Sequence, residues 1–385
     1  MQATNGKALS HTNILTALCD ATIFTGDTWV EGHALLIKDG KILDIVTNSK
    51  IPADAASTHY PGLLLVPGFI DAQVNGGGNI QLNNTPTAEA CQAIAKAHGH
   101  YGTTRLLLTC ITDRPEVTMQ ALAATRLARQ TCPSILGIHL EGPHLGLERR
   151  GVHKADYIRP LSAEDLRLYK PESGEIMLIT LAPENVSQET IHLLHKQGAI
   201  ISLGHTNALP EQIHVAIEAG ATGFTHLFNG MGKPSEGGAT PADTALKEPG
   251  SWCSMIMDGF HVPTEMAKLA LKAKPGKIFL VSDAMAPAAT DDPQSFGLYD
   301  EKIDVANGRC VNHEGKLAGS AITLLDAVRH CVNVVGVPLE ETLRMASTYP
   351  TEFLGVSDRF GKLLPGYVAD VLAFSPELEL KSVLI

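Results

Sequence analysis

A (β/α)8 barrel carrying a small discontinuous β domain is the fold class the sequence predicts, and three observations predict it. Between residues 63 and 281, eight short apolar runs of β character alternate with amphipathic stretches. That alternation is the texture of a parallel sheet, and eight strands are the number that closes a barrel. Both ends of the chain read as β-strands and turns. Chemically capable side chains recur where the apolar runs end, the edge at which barrels place their chemistry. The competing architecture, an open doubly wound sheet, places a Gly-rich phosphate loop after its first strand. Gly76-Gly77-Gly78 fits neither the dinucleotide nor the P-loop spacing.

The elements follow in order. Ala34–Lys38 is an apolar strand, Asp39-Gly40 is a hairpin signal, and Lys41–Thr47 alternates again. The barrel strands are expected at Leu63–Ile70, Thr104–Cys110, Ile135–Leu140 and Met177–Leu181, then at Ala199–Leu203, Gly223–Leu227, Trp252–Met257 and Lys277–Val281. Helices are expected at Thr87–His98, Pro115–Gln130, Ser187–Gln197, Pro210–Ala219 and Pro263–Lys274. Several open on Pro or Ser/Thr and close near Gly, as helices do. Two more helices, Ile322–Val335 and Pro338–Ser347, follow the eighth strand. From Gly361 the chain returns to β texture, with Pro365-Gly366 as a turn and Ala369–Phe374 as a strand. Residues 1–65 and 361–385 are expected to join into one small β domain, and 66–360 to form the barrel.

Composition narrows the function. Apolar residues are 44% and charged residues 18% of the 385, enough apolar surface for a large core. Lys plus Arg number 30 against 41 Asp plus Glu, a net charge of −11. That balance disfavours nucleic-acid and anionic-membrane partners, which need clustered cations. Met1–Asn13 is polar, without the apolar core of a signal peptide. The longest apolar run, Leu63–Ile70, falls far short of the ~20 residues that span a bilayer. Seven cysteines, with no Cys-x-x-Cys pair, argue against a disulfide framework and for a reducing cytoplasm.

The strand ends carry the chemistry. Strand three runs into His139-Leu140-Glu141-Gly142-Pro143, strand five into Leu203-Gly204-His205-Thr206, and strand six into His226-Leu227-Phe228-Asn229. Strand seven ends at Asp258-Gly259-Phe260-His261 and strand eight at Ser282-Asp283-Ala284. In a barrel these ends converge on one mouth. One carboxylate and two imidazoles make a hydrolytic zinc set with an open position for water or substrate. Asp283, left unligated, is placed to take a proton from that water. The plain alternative is helix capping at β-to-α turns, but His and Glu are poor caps.

These segments, with Pro67-Gly68-Phe69-Ile70-Asp71 and Leu317-Ala318-Gly319-Ser320-Ala321, resemble the N-acetylglucosamine-6-phosphate deacetylases of the amidohydrolase superfamily. The resemblance covers nearly the whole chain, and it implies a (β/α)8 barrel with a small β-sandwich built from both termini. It implies hydrolysis of an amino-sugar 6-phosphate acetamide, giving glucosamine 6-phosphate and acetate. By position it implies Glu141, His205 and His226 as ligands of one divalent metal. Zn²⁺ suits that set best, and Fe²⁺, Co²⁺ and Mn²⁺ accept the same ligands. It implies Asp283 as general base and His153 near the substrate carbonyl. His261 is implied at the sugar phosphate, with Val152, Asn229, Gly230, Leu317, Ala318 and Gly319 lining the substrate. A homodimer is implied as well.

Two departures qualify the resemblance. The superfamily usually carries His-x-His after strand one, where this chain has Gln73-Val74-Asn75. Amides are weak, uncharged ligands, so the expectation is a single metal. Strand four ends Leu181-Ala182-Pro183-Glu184, without a lysine to carbamylate, which counts against a binuclear hydrolase. The loop Gly230–Gly238 lacks the family's Arg; its one cation is Lys233, either a phosphate contact or a solvated loop charge. Two further readings stay open: a deacetylase of N-acetylgalactosamine 6-phosphate, and a non-catalytic metal- or sugar-binding regulator on the same scaffold. Against the regulator stands Asp283, which a pure binder does not need.

Overall fold

The structure is a computed structural model that describes residues 14–384 apart from 233–238 and 307. Its centre is an eight-stranded parallel sheet, numbered here β1 (Phe69–Val74), β2 (Thr103–Ile111), β3 (Ile135–Glu141), β4 (Ile176–Leu181), β5 (Ile200–Leu203), β6 (Ala221–Phe224), β7 (Trp252–Ile256) and β8 (Ile278–Val281). Neighbours in the sheet are neighbours in the chain, and a parallel bridge from Val74 to Ala284 joins its two edges into a ring.

A helix follows each strand: α1 (Ala88–Gly99), α2 (Pro115–Arg129), α3 (Ala163–Leu168), α4 (Gln188–Lys196), α5 (Pro210–Glu218), α6 (Pro241–Lys247), α7 (Thr264–Ala273) and, after an inserted hairpin, α8 (Leu324–His330). The strands are buried on both faces, so they read as unbroken apolar runs. On β2, Leu106 and Leu108 pack into the cluster shared with the helices, while Leu107 joins Ile70, Leu178 and Phe279 in a second cluster. Phe353 and Phe360 complete that second cluster, with Phe353 stacked on Phe279 at 4.9 Å. Leu136, Ile176 and Trp252, at strand starts, belong to it too. This plug fills the N-terminal end of the barrel and leaves the opposite mouth for chemistry.

Two more sheets sit beside the ring. One is four-stranded, from Lys41–Thr47, His33–Lys38, Thr16–Cys19 and Ala56–His59. The other is five-stranded and draws on both chain ends: Leu380–Leu384, Val371–Phe374, Leu64–Pro67, Thr22–Phe24 and Trp29–Val30. They share one core, in which Leu18, Ile23 and Leu35 meet Val371 and Ala373. Arg105 of β2 ties the C-terminal segment to the barrel through a bidentate pair with Asp370, at 2.6 and 2.7 Å, both side chains buried. Among the described residues no helix is long and apolar enough to cross a membrane.

The structure alters the expected elements in four places. The run Leu63–Ile70 is not one strand: Leu64–Pro67 belongs to the five-stranded sheet and β1 begins at Phe69. Gly68 makes the step between them, since a Cβ there would lie 2.2 Å from Thr104 Oγ1. The short helices α3 and α6 have no counterpart in the expected set, although both open on a capping box, Ser162 with Asp165 and Thr240 with Asp243. An antiparallel insertion of Phe296–Leu298, Glu301–Ala306, Arg309–Val311 and Leu317–Ser320 occupies the stretch between β8 and α8. The helix expected at Ile322–Val335 is α only through His330 and continues as a π turn over Cys331–Val335. The polar Met1–Asn13 stretch lies outside the described residues.

Candidate active site

The mouth of the barrel gathers one carboxylate from β3 and one imidazole each from the ends of β5 and β6. Glu141 Oε1 lies 2.7 Å from His226 Nε2 and 3.1 Å from His205 Nε2, and the two Nε2 atoms are 3.0 Å apart. His205, His226 and Asp283 all have positive φ, at 48°, 34° and 50°. Such backbone is costly for non-glycine residues and persists where the surroundings hold it for function. Gly204 helps turn the chain: a Cβ there would sit 2.8 Å from Thr180 Cγ2.

The donor set fits a cation. His205 Nδ1 donates to the carbonyl of Arg149 at 2.8 Å, which leaves the lone pair on Nε2 facing inward. That lone pair meets a carboxylate oxygen and a second imidazole nitrogen, with the three ligand atoms within 4.8 Å of one another. Three electron-rich atoms pointed at one another in a buried site repel unless a proton or a metal ion lies between them. His226 Nδ1 has no hydrogen-bond partner among the described residues, so no polar contact on that side fixes the ring.

Asp283 stands beside this triangle, held by amides. Gln73 Nε2 donates to Asp283 Oδ1 at 3.1 Å and to Glu141 Oε2 at 3.2 Å, and Asn75 Nδ2 donates to Asp283 Oδ1 at 2.7 Å. The pair that replaces His-x-His therefore bridges two carboxylates as neutral donors. Burial, and then the charge of Glu141, raise the Asp283 carboxyl to about 6. Burial also pushes the Glu141 carboxyl up, but the close imidazoles of His205 and His226 outweigh it and hold Glu141 well below the usual range.

Beneath the ligands runs a layer of hydroxyls. His139 Nε2, Thr180, Thr225 and Ser202 are linked at 2.7 Å each, and His139 Nδ1 meets Thr109 at 3.2 Å. Burial keeps the His139 imidazole neutral, lowered to about 4.

A cavity of about 160 Å³ opens over the triangle. Its walls include the expected Val152, His153, Asn229 and Gly230. His261, Asp283, Leu317 and Gly319 line it as well. His153 packs edge-on to His205 at 4.5 Å, and its buried Nδ1 has no hydrogen-bond partner among the described residues. Burial, followed by the charge of His205, lowers it to about 3. His261 Nδ1 is paired with Asp258 Oδ2 at 2.7 Å, which leaves its Nε2 unengaged by that carboxylate.

Two expected residues fall elsewhere. Ala318 is fully buried with Ile111, Met285 and Cys310, because side chains alternate along Leu317–Ser320 and only its neighbours reach the cavity. Lys233 lies outside the described residues. Ile111, Gly151 and Met285 line the cavity without having been singled out. Met285, two residues past Asp283, carried the clearest signal, since the loop after a barrel strand faces the mouth.

Residues 64–385 match the amidohydrolase family and residues 16–65 the NagA composite domain. The chain is 38% identical over 355 residues to an N-acetylgalactosamine-6-phosphate deacetylase from Shewanella sp., covering 91% of this chain and 89% of the relative. It is 30% identical to an N-acetylglucosamine-6-phosphate deacetylase from Haemophilus influenzae, covering 94% and 96%. The crystal structure of the N-acetylglucosamine-6-phosphate deacetylase from Pasteurella multocida superposes with a TM-score of 0.93 at 33% identity, covering 97% of this chain and 98% of that one. A mutant of the Mycobacterium smegmatis deacetylase in complex with N-acetyl-D-glucosamine-6-phosphate gives 0.88 at 27% identity, covering 96% and 98%. The chain belongs to the amidohydrolase family.

Proposed function

We propose that this chain hydrolyses the acetamide of N-acetyl-D-glucosamine 6-phosphate, releasing D-glucosamine 6-phosphate and acetate. The observation that carries the reading is the Glu141/His205/His226 triangle with unligated Asp283 beside it in one cavity. Those three residues would hold one divalent metal, in the first instance Zn²⁺. When bound, that metal supplies Lewis-acid polarisation and an acidified water. Asp283 accepts the proton. Its Oδ1 already takes hydrogen bonds from Gln73 and Asn75, so Oδ2 is the basic atom. The same atom then returns the proton to the departing amine nitrogen. Neutral His153 presents a ring N–H to the carbonyl oxygen, and His261, oriented by Asp258, faces the phosphate with Asn229 and Gly230. Val152, Leu317 and Gly319 wall the sugar.

The 38% identity to the Shewanella enzyme favours a second reading, the same reaction on N-acetylgalactosamine 6-phosphate. Acetate release from the two epimers, with metal added, tests both readings. No acetate from either would leave the non-catalytic regulator standing. Metal analysis should find one ion per chain, and His205→Ala and His226→Ala should lose it; two ions per chain would refute the mononuclear site. We also propose a homodimer in the cytoplasm, a setting that suits seven unpaired cysteines, and a division into a sandwich of 1–65 plus 361–385 and a barrel of 66–360. Sedimentation and limited proteolysis check these.

A further inference from the structure

The turn after β7 is unusually well fixed. Asp258 Oδ1 accepts from the backbone N–H of Phe260 at 2.8 Å and of His261 at 2.9 Å, while Oδ2 holds the His261 ring. Gly259 takes φ +80°, and a Cβ there would lie 2.7 Å from His330 Cε1, so α8 packs directly against the turn. The Phe260 ring beside His261 is 45% exposed. What lies over it is a cation: the Arg309 guanidinium carbon is 5.0 Å from the ring centroid.

Arg309 reaches this place from the inserted hairpin. Its strand pairs with Leu317–Ser320, Arg309 opposite Ser320, and Leu317 and Gly319 of that partner strand line the catalytic cavity. Arg309 thus lies between two segments that each contribute to the cavity wall, the Phe260-His261 turn through His261 and the Leu317–Ser320 strand through Leu317 and Gly319. Among the described residues no carboxylate pairs with it, and its Nε is buried without a hydrogen-bond partner. Arg149 and Arg150, also near the mouth, spend donors on Asn207 and on the Leu147 carbonyl. Stacking on Phe260 holds the guanidinium in place without neutralising it.

We propose that Arg309 is the cation that recognises the anionic phosphoryl end of the substrate, working beside His261; this rests on the amino-sugar 6-phosphate reading above. Three facts make the assignment. The chain carries −11, so a dianion needs a local positive charge. The loop Gly230–Gly238 contains no Arg. A guanidinium also offers the planar, bidentate fork that phosphate accepts, which a lysine does not.

The test compares kcat/KM for the 6-phosphorylated and the unphosphorylated N-acetyl sugar in the parent, in Arg309→Ala and in Arg309→Lys, with inorganic phosphate as a competing anion. Loss of a charge-assisted pair predicts that Arg309→Ala lowers the ratio of the two kcat/KM values by about 10- to 100-fold, chiefly through KM. Inorganic phosphate should inhibit it more weakly in parallel. Arg309→Lys should fall between, keeping charge but losing the fork. An unchanged ratio, or an equal loss on both sugars from a damaged hairpin, overturns the assignment while leaving the deacetylase reading intact. A parent that does not prefer the phosphorylated sugar overturns the 6-phosphate reading itself, and this assignment with it.

Discussion

Replacing Gly230 with alanine should loosen the metal site without touching a ligand. Gly230 has φ +58°, and a Cβ built there lies 2.6 Å from His205 Nδ1 and 2.9 Å from its Cε1. Ordinary contact begins at 3.4 Å, so the ring must withdraw by the difference, about 0.8 Å. The atom displaced is the one that donates to the Arg149 carbonyl at 2.8 Å and keeps the His205 lone pair turned inward. Bonds of this kind, to the far nitrogen of a metal-binding imidazole, are worth about 10- to 100-fold in metal affinity. That range corresponds to about 1.4–2.7 kcal/mol. The left-handed backbone adds about 1–2 kcal/mol of folding cost on its own. Gly336→Ala separates the two effects, because φ there is +81° and a Cβ would meet open space. Chelator competition for Zn²⁺ measures affinity, and urea unfolding measures stability. Both variants should lose stability, and only Gly230→Ala should lose affinity. Parental affinity in Gly230→Ala, or an equal loss in Gly336→Ala, would refute the reasoning.

Asp283→Asn should retain metal and lose turnover by ~10²-fold or more, since an amide cannot take the proton; near-parental kcat would remove Asp283 from the reaction. Arg105→Ala strands the buried Asp370 carboxylate and should cost about 3–5 kcal/mol, while the double change Arg105→Met with Asp370→Leu should recover most of it. A loss below about 1 kcal/mol in urea melts would show the pair to be dispensable. Burial lowers His98 and His144 to about 4, so unfolding lets both return toward about 6.5 and bind protons. Stability should therefore fall as pH drops from 6.5 toward 4, by up to about 1.4 kcal/mol per pH unit for each group. His98→Gln, which keeps a donor for the Gly76 carbonyl, should make that acid limb shallower by one such step; an identical slope would refute the assignment.

What was legible in the sequence follows from periodicity and placement. Eight buried parallel strands write themselves as apolar runs, and the ring order follows from the chain order because each strand pairs with the next. Glu141, His205, His226 and Asp283 were legible because polar groups at such ends have no packing role. Gln73 and Asn75 were visible only as missing ligands. Their work as neutral donors between two carboxylates depends on a spacing that appears once β1, β3 and β8 are side by side. The inserted hairpin escaped because its strands are short and only thinly buried: in Glu301–Ala306, Ile303 and Val305 are the whole alternating apolar signal and only Ile303 is fully buried. Leu64–Pro67 and Phe69–Val74 merged into one expected strand because both halves are buried, and only the close approach of Thr104 to Gly68 separates them.

The strand Leu64–Pro67 lies between Thr22–Phe24 and Val371–Phe374. During synthesis its second neighbour does not yet exist. About 300 residues must be added between Pro67 and Val371, which at ~5–20 residues per second takes ~15–60 s on the ribosome. Throughout that interval one edge of an apolar strand is open, and Arg105 waits without its carboxylate. The nascent chain therefore presents a sticky edge until Val371–Phe374 has left the ribosome and can pair with Leu64–Pro67. A stalled nascent-chain series, with a C-terminal linker long enough to bring Val371–Phe374 out of the ribosome in some members and not in others, should show protease resistance of the N-terminal sheet only where that strand has emerged, so that a late stretch of the chain governs the solubility of an early one.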